Sequence, residues 1–253
     1  MRRLDHLWRV AATGAAFAFI FVGGGLLAGV MLPLMLLPGA GNHGRVRRVI
    51  HRVFRFYLHC LRGLGLLTLV FENTAPLHAP GGCLIVANHP SLLDVVMLVA
   101  LIPNAQCIVK NALWTHPLLG PLMRRAGYIR NDLDPEALLE ACRESLRLGQ
   151  PLIIFPEGTR SQPGQPPRFR RGFANLATLT AAPVQTVLIT CDPPTLVKGE
   201  PWWRIPPIRP TFRLVVGERL EAERYLDQTH RSVAARRLVH FLERYYAEKL
   251  GYV

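Results

Sequence analysis

Short, wholly apolar runs bounded by glycine or proline alternate with longer segments of helical period through most of this chain. Cys83-Leu84-Ile85-Val86-Ala87 follows Gly81-Gly82 and is too short for a helix, which predicts a strand buried on both faces. Residues 151–155 and 183–191 show the same pattern, and 66–71, 106–110, 128–129 and 211–216 complete the predicted strands. Residues 92–101 are apolar nearly all round and stop before Pro103, which predicts a buried helix. Asp134 stands as the cap of another, with Pro135 at its first position, Glu136 in its first turn and Gly149 at its end. Residues 168–179 predict a further helix opened by Arg168, Arg170 and Arg171, a start that suits phosphate; 111–126 is a partly helical stretch broken by Pro117 and Pro121, and Thr229 starts a last helix that Gly251 ends. A helix that crosses between two strands returns the chain in the same direction. The expected class is therefore α/β, with a mixed, partly parallel central sheet flanked by helices.

The N-terminal quarter departs from this alternation. Residues 10–37 are strongly apolar, with arginines before the run (Arg2, Arg3, Arg9) and after it (Arg45, Arg47, Arg48). About 20 apolar residues suffice to span a bilayer, but basic flanks at both ends favour keeping both on one side. Gly23-Gly24-Gly25 divides the run into two arms too short to cross, so the expectation is a re-entrant or leaflet-embedded segment, with a single span as the alternative. Residues 45–64 place Val46, Val49, Ile50, Val53, Tyr57, Cys60, Leu61 and Leu64 on one helical face and Arg45, Arg48, Arg52, Arg55, His59 and Arg62 on the other. A basic amphipathic helix of this kind suits an anionic lipid surface; packing on the domain with a solvated basic face is the other reading. The expected division is an N-terminal membrane-associated helical motif over 1–65 and an α/β domain over 66–253.

Candidate chemistry sits where the 83–87 strand hands over to the next helix, in Asn88-His89-Pro90-Ser91-Leu92-Leu93-Asp94. Ser91 occupies the expected N-cap, and Asp94 three residues on completes a capping pattern. Two readings fit. In one, Ser91 and Asp94 cap a helix and His89 is an ordinary loop histidine. In the other, His89 is a general base whose second ring nitrogen is held by Asp94. A histidine just before a helix can meet a carboxylate in its first turn, but the spacing alone is a weak motif. The 151–155 strand runs into Pro156-Glu157-Gly158-Thr159-Arg160, and polar groups on loops at strand ends are the usual layout of an α/β site.

With these two blocks in this order, the chain resembles the PlsC-type glycerolipid (lysophospholipid) acyltransferase family. Gly127-Tyr128-Ile129-Arg130 and the Pro183-centred strand are similar to two further family blocks, so the resemblance covers about residues 66–216. It implies acyl transfer from acyl-CoA or acyl-ACP to lysophosphatidic acid, giving phosphatidic acid in phospholipid biosynthesis. His89 and Asp94 of the HX4D motif would be catalytic, and Arg160, Arg130, Glu157, Gly158 and Thr159 would bind the substrate phosphate. The thioester is a co-substrate, and neither cofactor nor metal is implied. The implied partners are the acceptor lipid, the thioester donor, an anionic membrane surface and an acyl carrier protein, at the cytoplasmic face of the inner membrane. Related enzymes acylate lyso-ornithine lipid or load aryl polyene chains from a carrier protein. The stretch from Cys191 to Pro206, with Pro193-Pro194-Thr195-Leu196 and Glu200-Pro201-Trp202-Trp203, departs from the housekeeping pattern and favours a specialised pathway. Its tryptophans would border the donor entrance or touch the membrane interface. The alternative of another class is a catalytically silent basic membrane-binding protein.

Composition narrows the partners. Thirty Lys and Arg against seventeen Asp and Glu give a net charge of +13, so anionic partners are expected. The basic residues do not alternate with aromatic platforms, and no nucleic-acid motif occurs, so lipid is favoured over nucleic acid. Half the residues are hydrophobic, high for a chain without membrane contact. The five cysteines are scattered and mostly inside apolar runs, which reads as reduced core residues.

Overall fold

The computed structural model describes residues 2–34, 43–225 and 230–252. Its elements are α1 (Arg2–Leu34), α2 (His43–Gly63), β1 (Thr68–Glu72), β2 (Leu84–Ala87), α3 (Asp94–Leu101), β3 (Gln106–Val109), α4 (Asn111–Trp114), α5 (Gly120–Ala126), β4 (Ile129–Arg130), α6 (Pro135–Arg147), β5 (Leu152–Ile154), α7 (Gly172–Thr180), β6 (Val184–Asp192), β7 (Thr211–Leu220) and α8 (Arg231–Lys249). Each predicted strand forms, in one seven-stranded sheet ordered β1-β7-β6-β2-β5-β3-β4. Among the described residues only β6 and β7 pair antiparallel; the other pairs are parallel. The mixed, mostly parallel α/β class is the one expected. The start expected at Thr229 lies outside the described residues.

Both sheet faces are covered, which explains why the central strands read as unbroken apolar runs. Ile85 and Ala87 of β2 join a core with α2 and α3, while Leu84 and Val86 join the opposite core with α6, α7 and α8. Strand β2 is central, between β6 and β5. Its chain leaves to α3 on one face, whereas β5 leads to α7 on the other. Adjacent parallel strands whose connections depart to opposite faces open a crevice at their C-terminal ends. His89 and Glu157 both sit on that rim.

Tyr246 of α8, fully buried, reaches across the sheet: its hydroxyl donates to the Val86 carbonyl at 2.6 Å and accepts from Val187 N at 3.1 Å. The second bond satisfies an amide beside the β6 irregularity between Gln185 and Val187. Tyr246→Phe strands that amide, so we expect a loss of about 1–2 kcal/mol, and a thermal midpoint lower by roughly 2–8 °C. Thermal unfolding followed by circular dichroism checks it; an unchanged midpoint would show that the amide finds another partner.

Three expectations are corrected. Helix α3 begins at Asp94 after Leu93, not at an N-cap Ser91, and Leu93 makes no side-chain cap. The Ser91 hydroxyl is drawn instead to the carbonyl of Thr195 at 3.0 Å, and the Asp94 carboxylate accepts from Ser91 N at 2.7 Å. Helix α1 runs on through Gly23-Gly24-Gly25, where two arms were expected. Glycine costs about 1 kcal/mol per residue in a helix, but a break among apolar residues would orphan several backbone groups, which costs more. The apolar face of α2, expected at lipid, is spent on the domain: Val46, Ile50, Tyr57 and Leu61 are buried, while Arg45, Arg48, Arg52, Arg55, His59 and Arg62 face out. Buried Arg47 fixes α2 further, donating to Asn104 Oδ1 at 2.9 Å and the Ala126 carbonyl at 3.0 Å. Among the described residues no helix is long and apolar enough to cross a membrane.

Candidate active site

At the end of β2, Asn88 stands where the chain leaves the sheet but its backbone no longer pairs with β6. Its side-chain amide substitutes for the ladder, accepting from Ile189 N and donating to the Ile189 carbonyl, both at 2.8 Å. The next residue is thereby aimed out of the sheet edge. His89 is held by its backbone: its N–H donates to Glu157 Oε1 at 3.0 Å and Ser161 Oγ at 3.2 Å, and its carbonyl accepts from Ser161 N at 2.7 Å. The imidazole stacks on Phe155, ring centres 4.2 Å apart.

His89 Nδ1 lies 2.8 Å from Asp94 Oδ2. Asp94 is fully buried, and its Oδ2 also takes the Ser91 amide, so the carboxylate accepts and Nδ1 carries the proton. The basic lone pair then falls on Nε2, at the rim. Burial raises the Asp94 pKa to about 6, partly opposed by the bonds from His89 and Ser91. Its Oδ1 is buried without a hydrogen-bond partner among the described residues. An ionised carboxylate kept dry beside an imidazole is an arrangement for stabilising imidazolium.

The 156–160 turn distributes its polar groups unevenly. Glu157, placed with the phosphate ligands by resemblance, turns its carboxylate inward to the His89 amide and to the Ser161 hydroxyl at 2.7 Å. Burial raises its pKa. Gly158 has φ +70°, a conformation that favours glycine, and a Cβ there would stand 3.0 Å from Arg170 Nε. Thr159 is half-buried beside it. Arg160 donates from Nη1 to the carbonyls of Leu196 and Val197 at 2.7 and 3.0 Å, leaving Nε and Nη2 without a partner among the described residues. Arg130 ends β4, three strand spacings or roughly 14 Å from β2. It grips Asp132 in a bidentate pair at 2.9 and 2.7 Å, its guanidinium 5.9 Å from the Trp114 ring centre. The structure thus brings His89, Asp94, Glu157, Gly158, Thr159 and Arg160 to one rim and sets Arg130 at its far end.

Sequence reasoning had not singled out Asn88, Ser91, Phe155 or Ser161 for the site, whereas Arg170 was expected near phosphate as one of three arginines opening the 168–179 helix. Arg170 is exposed, and its backbone N–H donates to the Pro156 carbonyl at 2.8 Å. Polar residues flanking a strand end were the available signal for Asn88 and Ser161; the cluster of arginines at a helix start was the one for Arg170. From Phe155, Pro156 and Gly158 an open groove of about 750 Å³ extends between α6 and α7, walled by Leu138, Leu139, Phe173 and Leu176.

Residues 68–190 match the model of the acyltransferase family. A 1-acyl-sn-glycerol-3-phosphate acyltransferase of Cocos nucifera is 34% identical over 127 residues, 47% of this chain and 39% of that protein. One from Helicobacter pylori is 42% identical over 90 residues, 34% of this chain and 38% of its own. The chloroplastic enzyme BAT2 of Brassica napus is 29% identical over 181 residues, 65% and 50% of the two chains. This chain thus spans about half or less of the length of these curated relatives. The crystal structure of the 1-acyl-sn-glycerophosphate (LPA) acyltransferase PlsC from Thermotoga maritima superposes with a TM-score of 0.73 at 20% identity, covering 98% of this chain and 97% of that one. At that identity the likeness is one of fold.

Proposed function

We propose that the chain, whose residues 68–190 match the acyltransferase family model, is a lysophospholipid acyltransferase making phosphatidic acid from lysophosphatidic acid and an acyl-CoA or acyl-ACP thioester. The observation that carries this is the His89 Nδ1 to Asp94 Oδ2 contact of 2.8 Å, with Nε2 left for the substrate at the crevice between β2 and β5. Nε2 takes the proton of the acceptor hydroxyl as its oxygen attacks the thioester carbonyl. Asp94 stabilises the imidazolium while the tetrahedral intermediate stands. The intermediate collapses with loss of the thiolate, which takes the proton from the imidazolium. The ester bond replaces the thioester, and no covalent enzyme intermediate is needed. The groove beyond Phe155 offers the apolar walls an acyl chain needs.

The phosphate falls to Arg160 through its spare Nε and Nη2, with Thr159, the Gly158 backbone and Arg170 beside it and Arg130 at the far end of the rim. Glu157 serves this site by positioning the His89 backbone, since a carboxylate facing phosphate would repel it. Arg160→Ala should raise KM for a phosphate-bearing acceptor about 10- to 100-fold, the value of one or two charge-assisted hydrogen bonds. Because Arg160 also holds Leu196 and Val197, monoacylglycerol is measured alongside: an equal rise for both acceptors would leave Arg160 as a loop latch only.

Membrane association belongs to the same reading. We place the protein at the cytoplasmic face of the inner membrane, with α1 at the lipid and the arginines of α2 toward anionic headgroups. The test of the whole is a panel of lyso-lipids, lyso-ornithine lipid included, offered to purified protein in detergent with acyl-CoA and with acyl-ACP while free thiol is followed. Thiol release with lysophosphatidic acid is expected; none with any pair would leave a silent membrane-binding protein.

A further inference from the structure

The loop between β6 and β7 is fastened at both ends to different parts of the molecule. Near the catalytic rim, the Thr195 carbonyl accepts from Ser91 Oγ at 3.0 Å, and the Leu196 carbonyl accepts from Leu92 N at 3.3 Å and Arg160 at 2.7 Å. A few residues on, the loop is strapped to α1. Arg9, only 3% exposed, donates to the carbonyls of Pro206, at 3.1 Å, and Pro207. The Trp202 ring lies against Gly14, where a Cβ would stand 2.9 Å from it, and 5.9 Å from the Phe17 ring. The tip is therefore as fixed as the helix beneath it.

That tip exposes large apolar side chains among its basic ones. Trp203 is 58% and Ile208 66% exposed, beside an α1 face on which Leu4, Leu7, Trp8, Phe19 and Val22 also point outward. Ala11, Ala15 and Ala18 fill the intervening turns, and Asp5 alone among the outward residues 4–22 carries charge. A contiguous surface of this kind does not stay in water. Arginines are exposed on the adjoining segments: Arg209 and Arg204 on the loop, the latter paired with Glu200 at 3.2 Å, and Arg52, Arg55 and Arg62 on α2. Trp8 Nε1 donates to the Leu64 carbonyl and Phe19 stacks on Tyr57, so α1 lies antiparallel along α2 and the two faces are neighbours. Tryptophan at an apolar boundary with a basic margin matches the interfacial layer of an anionic bilayer rather than a protein partner.

We propose that the 192–210 loop is a bilayer-seating element. Trp203 and Ile208 enter the interfacial layer of an anionic phospholipid membrane beside α1, and the other end of the loop holds the His89 rim at headgroup depth. This rests on the membrane reading of α1 given above and adds to it a second, sequence-distant contact that sets orientation.

The test uses the full chain with vesicles of phosphatidylcholine, alone and with phosphatidylglycerol, in versions carrying acyl-chain bromine. The emission of Trp203, taken as the difference between the parent and Trp203→Phe, should be quenched by brominated lipid. The double variant Trp203→Ala, Ile208→Ser should partition about ten-fold or more weakly into phosphatidylglycerol vesicles, as expected for losing interfacial contacts worth about 1.4 kcal/mol. Leu148→Ser, at the C-terminus of α6 on the other sheet face, should partition like the parent. An unquenched Trp203 overturns the proposal, as does equal partition of double variant and parent. Trp203 protection that depends on protein concentration in detergent and ignores bromine would mean that a second copy covers the patch, and also overturns it. Turnover in detergent micelles is read in parallel: its absence in the parent removes the enzymatic reading while quenching still decides the loop.

Discussion

His89→Ala is expected to lower acyl transfer by at least about 10²- to 10⁴-fold, the usual loss on removing a general base. The hydroxyl of a lysolipid is a poor nucleophile until a base takes its proton, and Nε2 is the group that the geometry leaves for this. Nδ1 is committed to Asp94 at 2.8 Å, and the ring is fixed from behind by Phe155 at 4.2 Å. The backbone bonds from residue 89 to Glu157 and Ser161 do not involve its ring and survive the substitution, although Asp94 loses one of its two hydrogen bonds. Thiol release from purified parent and variant, with circular dichroism on both, separates catalysis from folding. A variant with near-parental turnover would return His89 to an ordinary loop histidine and leave the proposed reaction without a base.

Asp94→Asn should divide activity from stability. The amide cannot stabilise an imidazolium, and its NH₂ favours the wrong tautomer of the ring, so a fall in kcat of roughly 10⁴-fold is expected. Folding moves the other way. Burial raises the folded pKa of Asp94 from 3.8 to about 6. Between those values the unfolded chain releases its proton first, so the folded state binds more protons and stability falls as pH rises through this window. Above that window the cost of keeping a buried carboxylate ionised is borne in full. Asparagine escapes it. The thermal midpoint of the variant at neutral pH should equal or exceed the parent's, and its margin should vanish at acid pH. The parent's own turnover should decline as pH falls through about 6, when Asp94 takes up a proton. A destabilised variant that keeps its activity would refute both halves of this account.

The central strands were legible because a strand buried on both faces is apolar at every position, whatever its neighbours. Asp134-Pro135 and Gly149 marked α6 through local caps, and the Asp134 carboxylate does accept from Ala137 N at 2.9 Å. The His89 and Asp94 pair was legible for the same reason, since five residues at a strand-to-helix turn bring them together without help from the rest of the chain. Residues 156–160 marked the neighbouring rim by resemblance, but the direction each side chain takes did not follow. Arg160 meets carbonyls 36 and 37 positions away, and Arg9 meets Pro206 and Pro207 across almost the whole chain.

The sequence by itself determined the element types, the class of the sheet and the short-range His89 and Asp94 pair, because propensity, apolar period and capping act within a few residues. Tertiary structure alone decided that β5 inserts beside β2 and opens the crevice, that Glu157 turns to a backbone amide, that α3 starts at Asp94, and that α2 covers its apolar face with the domain. Those outcomes depend on which distant strands become neighbours. The same stripe of side chains has equal affinity for lipid or for a helix until the sheet order places α3 against it.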